Sequence, residues 1–291
     1  MKLYAPSTIA DIKERYNFQL SKSLGQNFIT DRSIIERIIE GSGAGENDLL
    51  IEIGPGIGVL TAEAAEAAAK VIAVEIDRKL IPILSETLAE YDNVSIINQD
   101  ILKTDVNKII EEEKAAGSFT GAVRIIGNLP YYITTPIIMG LLESGVKADS
   151  ITVMMQKEVA DRIKASPGGK IYGAISAAVQ YYCTVEQIAV VPKEVFVPRP
   201  KVDSAVLNLY VRKEKPVELI DEKMFFACIR SGFGQRRKTL LNSLTGMAGL
   251  SKEEIKDVLS AADIDPVRRA ETLSMKEFAA IANEAALRSR R

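Results

Sequence analysis

The chain contains no histidine at all and only two cysteines, Cys183 and Cys228, far apart in sequence. Without histidine there is no imidazole acid–base catalysis, no Ser-His-Asp arrangement and no use of the commonest metal ligand. Two lone thiols make neither a disulfide framework nor a zinc site, so no metal centre is expected. Any chemistry must run on backbone groups, carboxylates, amides and aromatic rings, or on a bound cofactor. Long apolar runs are missing as well: none reaches the ~20 residues of a membrane helix. Residues 1–20 mix charges and lack the apolar core of a signal peptide. The expected location is the cytoplasm, with no membrane partner.

What is present is ordinary for a globular protein: 291 residues, 47% of them hydrophobic and 26% charged. That length accommodates a large domain, or a medium one with a smaller companion. Net charge is −2 and the isoelectric point about 5.6. The charge is uneven: residues 192–291 hold 19 Lys and Arg against 14 Asp and Glu, and the remainder 18 against 25. A basic C-terminal third on an acidic body is compatible with a local nucleic-acid footprint, and equally with chance.

From Leu49 the pattern alternates. Apolar runs at Leu49–Ile53, Val71–Ile76, Val94–Ile97, Val123–Gly127 and Ile151–Gln156 read as buried parallel strands. Between them Leu60–Ala69, Leu80–Tyr91, Ile101–Lys114 and Thr135–Ser144 read as helices. This is a doubly wound, Rossmann-like α/β domain. Upstream, Asp31 is a plausible cap for the periodic stretch Ile34–Ile39. Downstream, Val185–Val191 and Ala205–Val211 suggest an antiparallel pair at the sheet edge, separated by a Pro-rich segment. From Glu222 onward the pattern is helical. The expected domains are 1–213 and an all-helical 214–291.

Ile51-Glu52-Ile53-Gly54-Pro55-Gly56-Ile57-Gly58 joins a strand to a helix. Glycines there let the backbone approach a ligand at the carboxyl edge of a parallel sheet. The spacing is Gly-x-Gly-x-Gly, not the dinucleotide Gly-x-Gly-x-x-Gly, although nothing in the loop alone excludes NAD. Glu75, 21 residues after Gly54, closes the second strand, where a carboxylate can accept both hydroxyls of a ribose. Asp100 follows the third strand and fits either an adenine amine or a helix N-cap.

Asn128-Leu129-Pro130-Tyr131 follows the fourth strand. Methylating an aromatic amine requires freeing a lone pair that is delocalised into the ring. Acceptors on both N–H groups pull the nitrogen toward tetrahedral geometry, and the Asn128 side-chain oxygen and Leu129 carbonyl can supply them. Pro130 stiffens the turn and Tyr131 offers a ring for stacking. No strong base is needed, because the ammonium product loses its proton readily.

These motifs, with Gly25-Gln26-Asn27-Phe28-Ile29, Gln156-Lys157-Glu158-Val159, Pro198-Arg199-Pro200-Lys201-Val202-Asp203-Ser204 and Arg236-Arg237-Lys238-Thr239-Leu240, resemble the ribosomal RNA adenine dimethyltransferase family over nearly the whole chain. The resemblance is nearer to its small-subunit branch than to the large-subunit branch linked to macrolide resistance. It implies S-adenosylmethionine as cofactor, held at Asn27, Ile29, Gly54, Gly56, Glu75, Asp100 and Asn128. It implies a flipped adenine stacked on Tyr131 and Phe196. The implied substrate is a pair of adjacent adenines in the 3′-terminal hairpin loop of 16S rRNA, within the immature 30S subunit. Lys22, Arg199, Lys201, Arg236, Arg237 and Lys238 are the expected RNA contacts, and a monomer is the default. A nucleotide-dependent oxidoreductase leaves Asn-Leu-Pro-Tyr unexplained. A non-catalytic assembly factor is compatible with the same sequence.

Overall fold

A computed structural model describes residues 2–18 and 25–289. Its elements run in the order α1 (Pro6–Arg15), β1 (Phe28–Ile29), α2 (Arg32–Ser42), β2 (Leu49–Ile53), α3 (Val59–Ala67), β3 (Lys70–Glu75), α4 (Ile81–Thr87) and β4 (Val94–Asn98). There follow α5 (Val106–Ala115), β5 (Val123–Asn128), α6 (Thr134–Glu143), β6 (Ser150–Gln156), α7 (Lys157–Ile163), α8 (Ala174–Tyr182), β7 (Cys183–Val191), β8 (Phe196–Val197) and β9 (Ser204–Val211). The remaining helices are α9 (Glu222–Gly234), α10 (Leu240–Leu244), α11 (Lys252–Ala261) and α12 (Met275–Ser289). No helix of the described residues is long and apolar enough to cross a membrane.

Seven strands form one sheet in the order β4-β3-β2-β5-β6-β9-β7. The pairs β4–β3, β3–β2, β2–β5 and β5–β6 are parallel, whereas β9 runs antiparallel to β6. The chain order reverses between β2 and β5, and the carboxyl ends there open a crevice for a ligand. All five residues of β2 are buried, as a strand covered on both faces requires. The two late strands lie side by side at the edge, as expected, with the Pro-rich segment looping between them.

The Asp31 side chain caps α2 by accepting from the Ser33 amide at 2.9 Å. That helix buries Ile34, Ile35, Ile38 and Ile39 on one stripe, each worth roughly 1.5–3 kcal/mol when fully covered. Ile9 and Ile12 of α1 enter the same core, so the N-terminal helix is packed and not a loose extension. Ile101–Lys114 is not one helix. Asp100 caps a short turn at Ile101–Lys103 through the Leu102 amide, and Asp105 caps α5 through the Lys108 amide. Two Asx caps five residues apart start the helix twice.

Compact packing divides the chain into Met1–Ala160 with Thr184–Val211, and Asp161–Cys183 with Arg212–Arg291. Residues 161–183 thus belong with the C-terminal helices, where a boundary at 213/214 had placed them with the sheet. Helix α8 faces α9 through Tyr181, which touches Phe225 and Phe226 with ring centroids 5.1 and 5.5 Å apart. The two cysteines are free and buried, and burial pushes each thiol up to about 12.

Candidate cofactor and base site

At the crevice lies a cleft enclosing about 970 Å³ of empty space, counted out to its open mouth. Four stretches wall it: the 25–29 segment, the glycine loop, the ends of β3 and β4, and the turn after β5. Asn27, Ile29, Gly54, Gly56, Glu75, Asp100 and Asn128, all expected from the sequence, line it together.

The glycine loop needs its glycines. Gly54 has φ +69°, and a Cβ there would meet nothing within 4 Å, so the backbone lies bare to the cleft. A Cβ on Gly56 would stand 2.8 Å from the Phe28 ring, which packs directly over the loop. The Glu75 carboxylate accepts from the Asp77 amide at 2.7 Å and the Gly56 amide at 3.3 Å. Burial nevertheless raises its pKa to about 6. At the far end, one Asp100 oxygen accepts from the Leu102 amide at 3.0 Å. The capping role of Asp100 therefore coexists with its place in the cleft wall.

The turn after β5 is built around Asn128. Its Nδ2 donates to the Asn27 carbonyl at 2.8 Å. Leu129 is buried and its amide donates to Met154. Pro130 lines the cleft, and its carbonyl accepts from the Ile133 amide and the Thr134 hydroxyl. Tyr131 is half-buried with its hydroxyl 2.8 Å from the Ser204 hydroxyl, and burial raises its pKa.

Phe196 is not brought to the cleft. It sits in β8, which pairs with β1 so that Phe196 faces Ile29 in register, and only 2% of it is exposed. Its ring belongs to the core rather than to an open face. Arg199 is exposed and ion-paired with Glu194, and Lys201 is exposed. Lys22 lies outside the described residues. In the helical unit, Arg236, Arg237 and Lys238 are exposed between α9 and α10, and the Arg236 guanidinium donates to the Lys170 carbonyl.

Three of the cleft residues that the sequence left unassigned bear on the site's chemistry. Tyr132 lines the mouth at 61% exposure, while its neighbour Tyr131 turns inward. Gln26 joins Asp77, Nε2 to Oδ2, at 3.1 Å. Glu52 is 1% exposed, and its Oε2 has no hydrogen-bond partner. Burial, with the charge of Glu75 adding to it, raises the Glu52 pKa to about 8. Its signal was available: a carboxylate inside the apolar run Leu49–Ile53 is out of place unless the site uses it.

Among the described residues, the cleft lining carries two carboxylates, Glu75 and Asp100, beside Glu52, whose raised pKa keeps it protonated near neutral pH, and no lysine or arginine. Such a cleft favours a cationic, hydroxyl-rich and amine-bearing ligand. A pyrophosphate would find no side-chain cation among the described lining residues.

A family model described as ribosomal RNA adenine dimethylase matches residues 17–286. The chain is 49% identical over 282 residues to ribosomal RNA small subunit methyltransferase A of Clostridioides difficile (strain 630), covering 97% of this chain and 96% of that one. It is 51% identical over 289 residues to the protein of that name from Alkaliphilus metalliredigens (strain QYMF), covering 99% of each. Among solved structures, a dimethyladenosine transferase from Plasmodium falciparum superposes with TM-score 0.73 at 24% identity, over 87% of this chain and 95% of that one. That likeness shows the fold.

Proposed function

The chain belongs to the ribosomal RNA adenine dimethylase family, and from that premise we propose that it dimethylates the exocyclic amines of two adjacent adenines in the 3′-terminal hairpin loop of 16S rRNA. S-adenosylmethionine is the cofactor, and the cleft suits it. Glu75 is placed to accept from the ribose hydroxyls and Asp100 from the adenine amine. The bare backbone at Gly54 leaves room for the amino-acid end. The carboxylates favour the cationic sulfonium. When bound, the cofactor supplies an electrophilic methyl group.

The carrying observation is the orientation of Asn128. A carbonyl can face only the nitrogen end of an amide, so the bond to Asn27 fixes Nδ2 and leaves Oδ1 as acceptor for the target amine. The Leu129 carbonyl is the second acceptor. Together they hold both N–H groups and free the nitrogen lone pair, and they stabilise the positive charge that develops on nitrogen. The product ammonium passes its proton to water. No bulky base crowds the turn, so an amine that already carries one methyl group is accommodated.

Tyr131, its ring held by Ser204, is assigned to stack on the flipped base, the usual mode for enzymes that modify bases. Phe196, which the family resemblance assigned to the same base, is buried in the β1–β8 pair and carries no part of this reading. Lys22, Arg199, Lys201, Arg236, Arg237 and Lys238 are assigned to phosphates, with residues 214–291 contributing to ribosome contact. The substrate is the rRNA of the immature 30S subunit, met in the cytoplasm by a monomer.

The test supplies radiolabelled cofactor with undermethylated small subunits, large subunits or naked rRNA, then identifies the labelled nucleoside. Dimethyladenosine from small subunits alone is expected. Label in large subunits would transfer the chain to the large-subunit branch. No label, with cofactor bound, would leave an assembly factor.

A further inference from the structure

The segment Gly25–Ile29 touches the glycine loop, the turn after β5 and the turn after β3. Phe28 covers the glycine loop at Gly56. The Asn27 carbonyl holds Asn128. A Cβ on Gly25 would stand 3.2 Å from Cβ of Pro130. At one end the strand pair β1–β8 fixes the segment, with Phe28 opposite Val197 and Ile29 opposite Phe196. Nearer its other end, a side-chain tie crosses to the turn after β3, from Gln26 Nε2 to Asp77 Oδ2 at 3.1 Å.

Asp77 is well placed for that task. Its Oδ1 accepts from the Lys79 amide at 3.1 Å, which fixes the carboxylate and turns Oδ2 toward Gln26. Its own amide donates to Glu75 Oε1 at 2.7 Å. Glu75 in turn accepts from the Gly56 amide. A continuous chain of bonds thus runs from the 25–29 segment through Asp77 to the acid assigned to the ribose, and on to the glycine loop.

We propose that Gln26 and Asp77 are positioning residues that form a latch, holding the 25–29 segment over the cleft so that a bound cofactor leaves only when the latch opens. The inference rests on the cofactor reading above. Neither side chain is required to touch the reacting atoms. The latch acts through the segment, which walls the cleft and aims Asn128 at once. A hydrogen bond to an ionised carboxylate is stronger than one between neutral groups, and this one is partly shielded from water. Its loss therefore shows chiefly in the rate of departure, since association does not require it to be formed.

The probe is S-adenosylhomocysteine, with its release followed by stopped-flow displacement. Four variants of the full chain are compared with wild type: Gln26→Ala, Asp77→Ala, the double variant, and Gln26→Glu. A latch predicts release about 5- to 20-fold faster in each alanine variant, with association nearly unchanged. The double variant should be no faster than the faster single one, because both remove the same bond. Gln26→Glu fills the same space but sets a carboxylate against Asp77, so it should release at least as fast as Gln26→Ala. A packing role for Gln26 would instead be restored by Gln26→Glu. Wild-type release in either alanine variant, multiplied effects in the double variant, or restoration by Gln26→Glu would each overturn the latch. Failure of wild type to bind the probe would overturn the cofactor reading itself.

Discussion

Asn128 and Asn27, 101 positions apart, are joined by a single bond from side-chain nitrogen to backbone carbonyl at 2.8 Å. The bond decides which end of the Asn128 amide is available for chemistry. Asn128→Ala removes the acceptor, and Asn128→Asp sets a carboxylate oxygen against the Asn27 carbonyl and forces the side chain to turn. Both variants are expected to lose about 100-fold or more in single-turnover methyl transfer, the scale of removing one preorganised electrostatic group. Binding of small subunits should change far less. Transfer by Asn128→Asp near the wild-type rate would remove the orientation argument.

Glu75 sets a pH dependence on cofactor binding. Burial raises its pKa to about 6, and the ionised form accepts from hydroxyls on both oxygens. A ligand that binds the ionised form must therefore bind more weakly as pH falls through about 6. Calorimetry with S-adenosylhomocysteine should show affinity at pH 5 roughly tenfold below that at pH 7.5, one pKa unit of protonation. Glu75→Gln should bind weakly at both pH values and flatten the profile. A flat wild-type profile would contradict the ribose assignment.

The alternation of apolar runs and helices was legible because buried parallel strands are continuous in sequence. Leu49–Ile53 appears with its expected bounds, three of the other four parallel strands differ by a residue at one end, and β3 is displaced by one residue at both ends. The β1–β8 pair was not legible, since two residues carry no period. Helix α8 was missed because Gly173 starts it without a capping side chain and its residues are mostly buried, leaving little polar stripe to read. In the site, Gly54, Glu75 and Asp100 were readable because each sits at a fixed offset from a strand end. The Gln26–Asp77 and Asn128–Asn27 bonds span 51 and 101 residues and depend on packing alone. The burial of Phe196 has the same origin, since only its strand partner decides which way the ring faces.

Glu52 predicts a stability effect of the opposite sign to that of a paired carboxylate. Its pKa is about 8 in the folded protein and near 4.3 in an unfolded chain. Between those values the folded state holds a proton that the unfolded state has lost. Stability is therefore fully present below the unfolded value and falls as pH rises, by about 1.4 kcal/mol per unit, until the folded pKa is passed. Thermal melting should show Tm of the wild type declining between pH 6 and 8. Glu52→Gln, a neutral mimic of the protonated acid, should lose that part of the decline and melt higher than wild type at pH 8. Identical slopes for the two proteins would show that Glu52 is ionised in the fold.

The basic residues assigned to RNA differ in how free they are, and salt dependence can separate them. Among the described residues, Arg236, Arg237 and Lys238 enter no ion pair, whereas Arg199 is held by Glu194. A phosphate that engages a free cation releases condensed counterions. One that engages Arg199 must first displace Glu194, and the freed carboxylate then repels it. For small-subunit binding, the slope of log K against log salt should fall in magnitude by about 2 in the triple alanine variant at 236–238, near the single-strand value for three phosphate contacts. Arg199→Ala should change it by well under 1. Filter binding from 50 to 200 mM salt gives both slopes. Equal changes would mean that the Glu194 pair does not persist against RNA. No change in the triple variant would take the α9–α10 loop out of the interface.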